Sequence, residues 1–527
     1  MKAPVVLFGG QSLSPYALEN LTQGKSALAL AVERARSFPH VSDVYLFLLD
    51  TIDESLLPGG CIIIKKPQWT VLNLLESLAE LSQGQDLLYY AWADCPLLDP
   101  DLTQAMAERH LRWASEYTFA DGWPYGFAPE LLAPSTAAIL LSIYKNSIGA
   151  QASTETSQRG EPVQTGLVSR DALFQVLQKD INSFDIETEI SPVDLRSYRL
   201  TLAADSKRNH ILLKRLIDAG LDRADKAPEL LKAHPELLRT LPAFFQIQVS
   251  QPCPQRCTLC PYPQFGDPSL NAFMSLDAFK SILDKIVAFS GEGVIDLSLW
   301  GEISLHPQAV ELIVAVLERP ELALIVETSG IGWTASQIER FAAAARNSAP
   351  LRRGTNNLPP LSWIVSLDAK SPERYREIRG TGYDEANRFA DLLLQHFPWA
   401  TYVQAIRVKG AEDDIEQFYH HWKARGAEVI IQKYDYFSGF LPQKRAGDIS
   451  PLIRHPCWHL LRDMVILLDG TVTRCKEDIH RTDVLGNIFT ETMDALWQKA
   501  HISYMEHAQK NYTGICKDCD EYYTFNF

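Results

Sequence analysis

Three cysteines with a distinctive spacing lie in the middle of the chain: Cys253, Cys257 and Cys260, in the pattern Cys-x3-Cys-x2-Cys. A structural zinc ion normally takes four protein ligands, commonly supplied as Cys-x2-Cys pairs. Three thiolates on one loop can instead hold a [4Fe–4S] cluster, whose fourth iron then has no protein ligand. The spacing therefore favours a cluster with one open coordination position, and a zinc knuckle is the alternative.

A second group of cysteines lies near the end of the chain: Cys457, Cys475, Cys516 and Cys519. Four thiols are enough for one fully ligated iron–sulfur cluster, which suits electron transfer or structural support. They could equally form a zinc ribbon. The remaining two cysteines, Cys61 and Cys95, stand apart from both groups and are expected to be ordinary small buried residues.

Composition and charge narrow the class of protein. The 527 residues include 46% hydrophobic and 22% charged side chains, as in ordinary globular proteins, and the length suggests about three domains. The formal net charge of −15 disfavours binding to duplex nucleic acid or to an anionic membrane. No apolar run reaches the roughly 20 residues of a membrane-spanning helix, and MKAPVVLFGG lacks the pattern of a signal peptide. We therefore expect a cytoplasmic protein without disulfides.

The second half of the chain alternates strand and helix patterns around the cysteine loop. Six short apolar segments are typical of strands: FFQIQVS, VIDLSLW, LALIVE, SWIVSLD, YVQAIRV and EVIIQKY. Amphipathic segments between them supply the crossovers that parallel strands need. Six units are too few for a complete eight-stranded barrel, so we predict a partial (β/α)6 TIM barrel. Chemistry in such barrels takes place at the carboxyl ends of the strands, and the cysteine loop follows directly after the first strand.

Several further strands of this series also end in or run into polar or turn residues. These residues are Trp300, Gly301, Glu302, Glu327, Thr328, Ser366 and Arg407. Any one of them alone could be a strand-end cap or a surface contact. Because the strand ends meet at one rim, their combination favours a shared site.

The whole chain divides into four predicted segments. Residues 1–215 alternate strand and helix signals, as in a Rossmann-like α/β domain. Residues 216–243 are polar, contain several prolines and are helical in part, which indicates a linker. Residues 244–450 carry the six strands, and residues 451–527 carry the late cysteines with little regular periodicity, as expected of a small module built around a metal site.

The cysteine loop and the strand ends resemble the radical S-adenosylmethionine (SAM) superfamily. The resemblance implies a [4Fe–4S] cluster on the three loop cysteines, whose open iron binds the amino and carboxylate groups of SAM. One electron from the cluster then cleaves a carbon–sulfur bond of SAM, and the resulting 5′-deoxyadenosyl radical abstracts hydrogen from a substrate. The stretch ERYREIRG is also similar to a segment of this family, which implies that Arg379 faces the active site.

The same resemblance assigns cofactor-binding roles to the strand ends. The turn 300–302 matches the later part of a Gly-Gly-Glu type motif, with tryptophan at the first glycine, and its backbone touches the SAM amino group. Ser366 and Arg407 contact the ribose or carboxylate of SAM, while Glu327 and Thr328 line the same pocket. The resemblance identifies no residue that acts directly on the substrate.

The late cysteines, with Gly470 between the first two, resemble the SPASM extension of radical SAM enzymes. The resemblance implies that Cys457, Cys475, Cys516 and Cys519 ligate one auxiliary [4Fe–4S] cluster. Full SPASM modules have more cysteines and two clusters.

The first domain resembles sugar-nucleotide and CMP-sugar nucleotidyltransferases of the GT-A type, through its Gly9-Gly10 turn and Lys25. The resemblance implies a glycine-rich loop that holds nucleotide phosphates and a Mg²⁺ ion bound by Asp94 and Asp205. The arginine expected in that loop is missing. Two hypotheses stay open: a degenerate ligand-binding or scaffold domain, and an active transferase.

The complete arrangement is similar to the spirochaete radical SAM/SPASM family known as spiro-SPASM proteins. The leading hypothesis is a radical SAM enzyme that receives electrons from a donor such as flavodoxin or ferredoxin. Its substrate is unidentified, and a sugar, polyol or nucleotide-linked small molecule is favoured, with no nucleic acid or membrane partner. The alternatives are a peptide- or protein-modifying maturase, a nucleotidyltransferase with structural iron–sulfur clusters, and a non-enzymatic iron–sulfur electron carrier.

Overall fold

The protein is represented by a computed structural model, which describes residues 1–10, 13–153, 168–267, 269–348, 351–353, 356–448 and 450–524. The chain divides into two compact units. The first contains Met1–Thr240 and Arg352–Asn357, and the second contains Leu241–Leu351 and Leu358–Phe527. No helix within the described ranges is long and apolar enough to cross a membrane.

The first unit is built around one mixed sheet. The strands of Met1–Thr240 are β1 (Ala3–Gly9), β2 (Asn20–Thr22), β3 (Lys25–Ser26), β4 (Val41–Leu49), β5 (Ile62–Lys66), β6 (Leu88–Trp92), β7 (Tyr117–Asp121), β8 (Glu130–Leu132) and β9 (Ile186–Ile190), and all except β2 and β3 belong to this sheet. Its helices are α1 (Pro15–Leu18), α2 (Ala27–Ala35), α3 (Val71–Leu81), α4 (Pro100–Trp113), α5 (Thr136–Ser153), α6 (Ala172–Leu177), α7 (Lys207–Asp218) and α8 (Ala227–Ala233). The sheet order is β5-β4-β1-β6-β8-β7-β9, in which β8 runs antiparallel to both neighbours.

The loop after β6 is fixed by the helix that follows it. Asp99 caps the start of α4, because its carboxylate accepts hydrogen bonds from the amides of Asp101 and Leu102 at 2.8 and 2.9 Å. Pro100 occupies the first helical position, where no amide donor is needed. Asp94 lies between β6 and this cap, so strand and helix together set its position.

The second half of the chain supplies the other strands and helices. The strands are β10 (Phe244–Ile247), β11 (Gly293–Asp296), β12 (Leu322–Thr328), β13 (Leu351–Arg353), β14 (Asn356–Leu358), β15 (Leu361–Ser366), β16 (Thr401–Arg407), β17 (Glu428–Lys433), β18 (Asp463–Ile466), β19 (Thr471–Thr473) and β20 (Val484–Asn487). The helices are α9 (Tyr262–Phe265), α10 (Leu276–Ser290), α11 (Ala309–Leu317), α12 (Ala335–Arg346), α13 (Pro372–Ile378), α14 (Tyr383–His396), α15 (Glu412–Ala424), α16 (Trp458–Arg462) and α17 (Met493–Ala508).

The six predicted strands lie side by side in the second unit. They form the order β17-β16-β15-β12-β11-β10, and each neighbouring pair is parallel. Helices connect successive strands, because the end of one parallel strand lies far from the start of the next. The predicted mixed α/β character is confirmed, and the closure of this sheet into a partial barrel stays a prediction.

The two faces of this sheet have different chemistry. One face belongs to the main hydrophobic core, to which strand residues such as Phe245, Val326 and Trp363 contribute. The opposite face begins with an apolar row: Phe244, Val294, Ile325, Ile364 and Tyr402. Two residues further along each strand stands a polar row: Gln246, Asp296, Glu327, Ser366 and Gln404. Since side chains two apart on a strand share a face, the polar row lies nearer the carboxyl ends on this opposite face.

The cysteine-rich tail extends the same sheet. Strand β18 pairs in parallel with the other side of β10, and β19 and β20 follow in antiparallel order. The sheet thus continues past residue 450, where the sequence predicts a boundary between barrel and tail. Helix α8 belongs to the first unit, although the sequence assigns residues 216–243 to a linker.

Candidate cofactor and iron–sulfur sites

The cysteine loop begins beyond β10 and is held by the turn that follows β11. Gly301 has φ +82°, and a Cβ there would meet the carbonyl oxygen of Ser250 at 2.1 Å, so the close approach requires glycine. The amide of Glu302 donates to the carbonyl of Pro252 at 2.8 Å. The turn for which cofactor binding is predicted therefore packs directly against the residues that precede Cys253.

Glu302 links this turn to the end of the next strand. Its Oε1 accepts a hydrogen bond from the hydroxyl of Thr328 at 2.7 Å, and its Oε2 accepts one from the amide of Ser329 at 2.8 Å. Glu302 and Thr328 are both buried. The structure brings these two predicted residues together, and each holds the other in place at the rim.

Trp300 belongs to an aromatic group beside the cysteine loop. Its ring stacks on Tyr262, with centroids 6.1 Å apart and planes 17° apart, and meets Phe265 edge-on at 4.9 Å. Tyr262 and Phe265 lie on α9, which follows shortly after Cys260. All three aromatic residues line one cavity of about 550 Å³. The tryptophan at the first position of the motif therefore forms part of a cavity wall.

Glu327 and Ser366 form a hydrogen-bonded group with Gln404. Oε1 of Glu327 accepts from the Ser366 hydroxyl at 2.8 Å and from the Gln404 side-chain amide at 2.7 Å. Burial raises the pKa of Glu327 above its usual range. In the same polar row, Asp296 accepts from Gln246 at 3.2 Å, and burial raises its pKa as well. The side chains of this row can donate hydrogen bonds to the hydroxyl groups of a bound molecule and accept hydrogen bonds from them.

Arg407 lies apart from this group. It is exposed at the end of β16, whereas Gln404 on the same strand is buried. The sequence analysis missed Gln404, because an amide inside an apolar strand belongs to no motif. The available signal is the alternation of β16, in which Gln404 falls two residues after Tyr402 and thus on the same face.

The environment of the three loop thiols favours a metal centre. Burial raises the pKa of Cys253 to about 11 and that of Cys260 to about 12. Burial also raises the pKa of Cys257, while the charge of Arg379 acts in the opposite direction. Such thiols stay protonated at neutral pH unless a metal centre takes over their negative charge. This donor set fits an iron cluster held by three thiolates.

Arg379 is a partly buried cation beside the cysteine loop. Its Nη1 pairs with Asp368 at 2.5 Å, and its Nε donates to Oε1 of Gln255 at 3.1 Å. Gln255 lies within the cysteine loop, and its amide donates to the hydroxyl of Tyr375 at 2.7 Å. The arginine therefore contacts the loop through Gln255, a residue that the sequence analysis missed because no motif contains it.

The four late thiols line a single cavity: Cys457, Cys475, Cys516 and Cys519. Burial raises the pKa of Cys457 to about 12. Within the part of the chain that the structure describes, no group of three or more His, Cys, Asp or Glu side chains is arranged to hold a single metal ion. In a four-iron cluster each thiolate binds a different iron, so the thiols surround a cavity instead of meeting at one point.

Charged side chains of opposite sign flank this tail cavity. Arg474 donates to the sulfur of Cys516 at 3.6 Å, and Arg454 donates to the carbonyl of Cys516 at 2.7 Å. The thiol of Cys475 has its pKa raised by burial and then by the charge of Glu477, which is itself buried. The cavity is therefore more positive beside Cys516 than beside Cys475.

The cavity of about 550 Å³ extends between the two thiol sites of the second unit. Tyr262 and Trp300 line it near the cysteine loop, and Cys475 and Lys476 line it from the tail. Cys475 and Lys476 also line the cavity of the four late thiols. A molecule bound here is therefore next to the loop on one side and next to the tail site on the other.

In the first unit, the two aspartates for which Mg²⁺ binding is predicted come together around an arginine. Arg170 donates to both carboxylate oxygens of Asp94, at 2.9 and 2.5 Å, and its Nη2 lies 3.3 Å from Asp205. The guanidinium also lies over the ring of Trp92, at 4.5 Å. Burial raises the pKa of Asp205, and Arg170 acts against that rise. The carboxylates that would attract Mg²⁺ are thus already paired with a cation.

The other predicted residues of the first unit give less support to a phosphate site. Lys25 is exposed and pairs with Glu33 at 2.6 Å. Residues 11 and 12 of the predicted glycine-rich loop lie outside the described residues. The sequence analysis missed Arg170, since a single arginine far from both aspartates in the chain carries no spacing signal.

The observed arrangement is that of a two-unit α/β protein with a three-thiol loop and a four-thiol tail in its second unit. Residues 457–520 match the family model SPASM, described as an iron–sulfur cluster-binding domain. The prediction of a SPASM-type tail is confirmed.

A protein of Treponema pallidum (strain Nichols), described as an uncharacterized protein, is 35% identical to the chain over 364 residues. The matched region spans 67% of this chain and 98% of the relative. The chain therefore belongs to the same protein family as this Treponema pallidum protein.

Solved structures with weaker similarity include Streptococcus suis SuiB bound to its precursor peptide SuiA. That structure is 14% identical with a TM-score of 0.40, over 62% of this chain and 76% of SuiB. A cytidylyltransferase from Leptospira borgpetersenii serovar Hardjo-bovis (strain JB197) is 15% identical with a TM-score of 0.35, over 45% of this chain and 94% of that protein. These scores are too low to support an argument about function.

Proposed function

We propose that the chain is a radical SAM enzyme with an open cluster site in its cysteine loop and a closed one in its tail. The observation that carries the proposal is the placement of three half-buried thiols beyond the first of six parallel strands, against the Gly301 turn. Cys253, Cys257 and Cys260 hold a [4Fe–4S] cluster, and SAM binds beside it. The SPASM tail supports the proposal, because it is an iron–sulfur domain on the same sheet.

When bound, the reduced loop cluster supplies one electron that breaks the C5′–S bond of SAM, giving methionine and a 5′-deoxyadenosyl radical that takes a hydrogen atom from the substrate. The residues of this chain bind and orient the reactants and exclude water. Glu327, Ser366 and Gln404 offer hydrogen bonds to the ribose hydroxyls of SAM. Glu302 and Thr328 hold the rim in shape through their mutual hydrogen bond.

An external donor such as flavodoxin or ferredoxin supplies the electron for SAM cleavage. Removal of a hydrogen atom would leave a substrate radical, and a cluster held by the tail cysteines would accept one electron from that radical. The support for this role is the shared cavity wall, since Cys475 lines both the large cavity and the cavity of the tail thiols.

The substrate binds in the cavity of about 550 Å³ between the two thiol sites. This volume is within the roughly 300–1,000 Å³ of small-molecule sites. Its walls combine the rings of Tyr262 and Trp300 with polar side chains such as Gln248, Asp469 and His480. Such a lining suits a small polar molecule of the sugar, polyol or nucleotide-linked class. A peptide substrate is the alternative.

The first unit serves as a ligand-binding or scaffold domain in this proposal. The support is the ion pair network of Arg170 with Asp94 and Asp205, which neutralises the carboxylates that a metal-dependent transferase uses. The active-transferase hypothesis is tested by incubating the protein with Mg²⁺, CTP and sugar phosphates. Pyrophosphate release that disappears in Asp94→Ala would favour the transferase over the scaffold role.

The central test is SAM cleavage by the reconstituted protein. After anaerobic reconstitution with iron and sulfide, the reduced wild-type chain should release 5′-deoxyadenosine from SAM, and Cys257→Ala should fall to the background rate. The matched control is Cys61→Ala, because this thiol lies in the first unit and donates to the carbonyl of Pro58 at 3.4 Å. Wild-type protein that binds iron yet releases no 5′-deoxyadenosine would refute the proposal.

A further inference from the structure

His507 lies on α17 and lines the cavity of the four tail thiols. Only 2% of this residue is exposed. The amide of Cys457 donates a hydrogen bond to its Nδ1 at 3.4 Å. The ring of Tyr512 meets the imidazole edge-on, with centroids 5.0 Å apart. These contacts hold the imidazole in one orientation.

The bond from Cys457 determines which ring nitrogen carries the proton. A backbone amide can only donate, so Nδ1 is the acceptor and the hydrogen of the neutral ring sits on Nε2. Nε2 is buried and has no hydrogen-bond partner among the described residues. Buried donors without an acceptor are rare in folded proteins, because burial removes their bond to water. Nε2 therefore needs an acceptor that the described residues do not supply.

A second histidine of the same cavity has protein partners at both of its ring nitrogens. His459 also lines the cavity. Its Nδ1 lies 2.6 Å from Asp463, and its Nε2 lies 3.4 Å from the hydroxyl of Thr524. Both of its ring nitrogens are engaged by protein groups, which makes His459 a structural residue and sets His507 apart.

We propose that the Nε2–H of His507 donates a hydrogen bond to a sulfur atom of the tail cluster and raises the reduction potential of that cluster. The inference rests on the proposed function, because it requires a cluster on the four tail cysteines. Reduction adds one electron, and therefore one negative charge, to the cluster. A donor aimed at sulfur stabilises the more negative state most, and the effect is larger in a buried site of low dielectric.

The charges that act on the cavity lie mainly beside Cys516. Arg474 and Arg454 contact Cys516, whereas burial raises the pKa of Glu477 well above its usual range and Lys476 lies 3.2 Å from it. A hydrogen bond from the neutral imidazole therefore adds a separate contribution to the reduction potential. His507 is a positioning and tuning residue in this view, and it touches no substrate.

The test is a redox titration of the tail cluster by electron paramagnetic resonance. Cys253, Cys257 and Cys260 are first replaced by alanine in the full chain, so that the remaining signal comes from the tail. His507→Asn keeps an acceptor for the Cys457 amide and removes the ε donor, whereas His507→Gln keeps a donor at the ε position. Asparagine should lower the reduction equilibrium constant about tenfold, a shift of ~59 mV for one electron, and glutamine should stay near the parent value.

Two results would overturn the inference alone, and a third would instead refute the proposed tail cluster on which it rests. Equal potentials in the parent and His507→Asn proteins show that no such hydrogen bond acts. Loss of tail iron in both His507 variants shows that the imidazole is a ligand and not a donor. A parent protein that never binds tail iron refutes the cluster itself. If the triple alanine chain misfolds, the titration is done with intact cysteines, where asparagine should move one of the two cluster signals.

Discussion

Arg170 in the first unit is buried and Arg379 in the second is partly buried, and both pair with an aspartate. Arg170 lies between Asp94 and Asp205, so its single charge serves two carboxylates at once. Arg379 pairs with Asp368 and donates a hydrogen bond to Gln255 in the cysteine loop, and its charge also acts on Cys257. The first site thus contains its own cation, and the second has a cation beside it.

This difference indicates what each site can still bind. A carboxylate pair that already holds one guanidinium charge attracts a divalent ion less than a free pair does. The three half-buried loop thiols have raised pKa values, so they stay neutral until a bound metal centre takes over their charge. The comparison predicts that charge holds the first site together, whereas backbone packing holds the second.

The largest effect is expected from removing the cation of the first site. Arg170→Met removes the cation from buried Asp94 and from partly buried Asp205, and should lower the stability of the first unit by about 3–5 kcal/mol. Hydrogen–deuterium exchange of the strand Leu88–Trp92 measures this locally. The matched control is Arg223→Met, whose exposed partners Asp101 and Asp225 should change stability by less than about 1 kcal/mol. Similar exchange in both variants would contradict the role of charge.

An intermediate effect is expected at the turn that supports the cysteine loop. Gly301→Ala places a Cβ 2.1 Å from the Ser250 carbonyl, and relief of that overlap should lower stability by about 1–3 kcal/mol and reduce the iron bound after reconstitution. Gly380→Ala is the control, because Gly380 also has positive φ but nothing lies within 4 Å of its added Cβ. If the two variants bind iron equally, packing at Gly301 does not shape the loop.

The smallest effect is expected for the half-buried carboxyl group of Glu327, whose hydrogen-bond partners Ser366 and Gln404 are neutral. Burial raises the pKa of Glu327 above the unfolded value, so its contribution to stability is full at low pH and is lost as pH rises through the folded pKa. Glu327→Gln stays neutral and keeps an acceptor for Ser366 and Gln404. Relative to wild type, this variant should therefore be more stable at pH 8 than at pH 5 in urea unfolding.

The control for this pH dependence is the exposed Glu318→Gln, which should change neither end of the pH range. An identical pH dependence of wild type and Glu327→Gln would show that the carboxyl group is not held neutral by its surroundings.

Much of the second unit could be predicted from the sequence, because its strands and cysteines carry local signals. Apolar runs such as LALIVE mark the strands, and the cysteine spacing marks the loop. The residues that complete the sites carry no such signal. Arg170 reaches Asp94 across 76 positions, and Arg379 reaches Gln255 across 124. Contacts of this kind depend on tertiary packing, which spacing along the chain does not reveal.

His507 illustrates the same limit on one helix. Its segment shows little regular periodicity, and its meaning depends on a bond from Cys457, 50 residues earlier. Only the structure shows that one of its ring nitrogens is used and the other is not.

The pairing of β10 with β18 has a consequence for how the protein can be divided. Strand β10 leads into the first cysteine group, and β18 joins the helix after Cys457 to the turn before Cys475. The separation of the two thiol sites is therefore set by one ladder of backbone hydrogen bonds, and no hinge between modules can change it. A chain cut at residue 450 would expose the edge of β10 as an open template for aggregation. We therefore expect that the second unit has to stay intact, both when the protein is expressed and when its gene is rearranged.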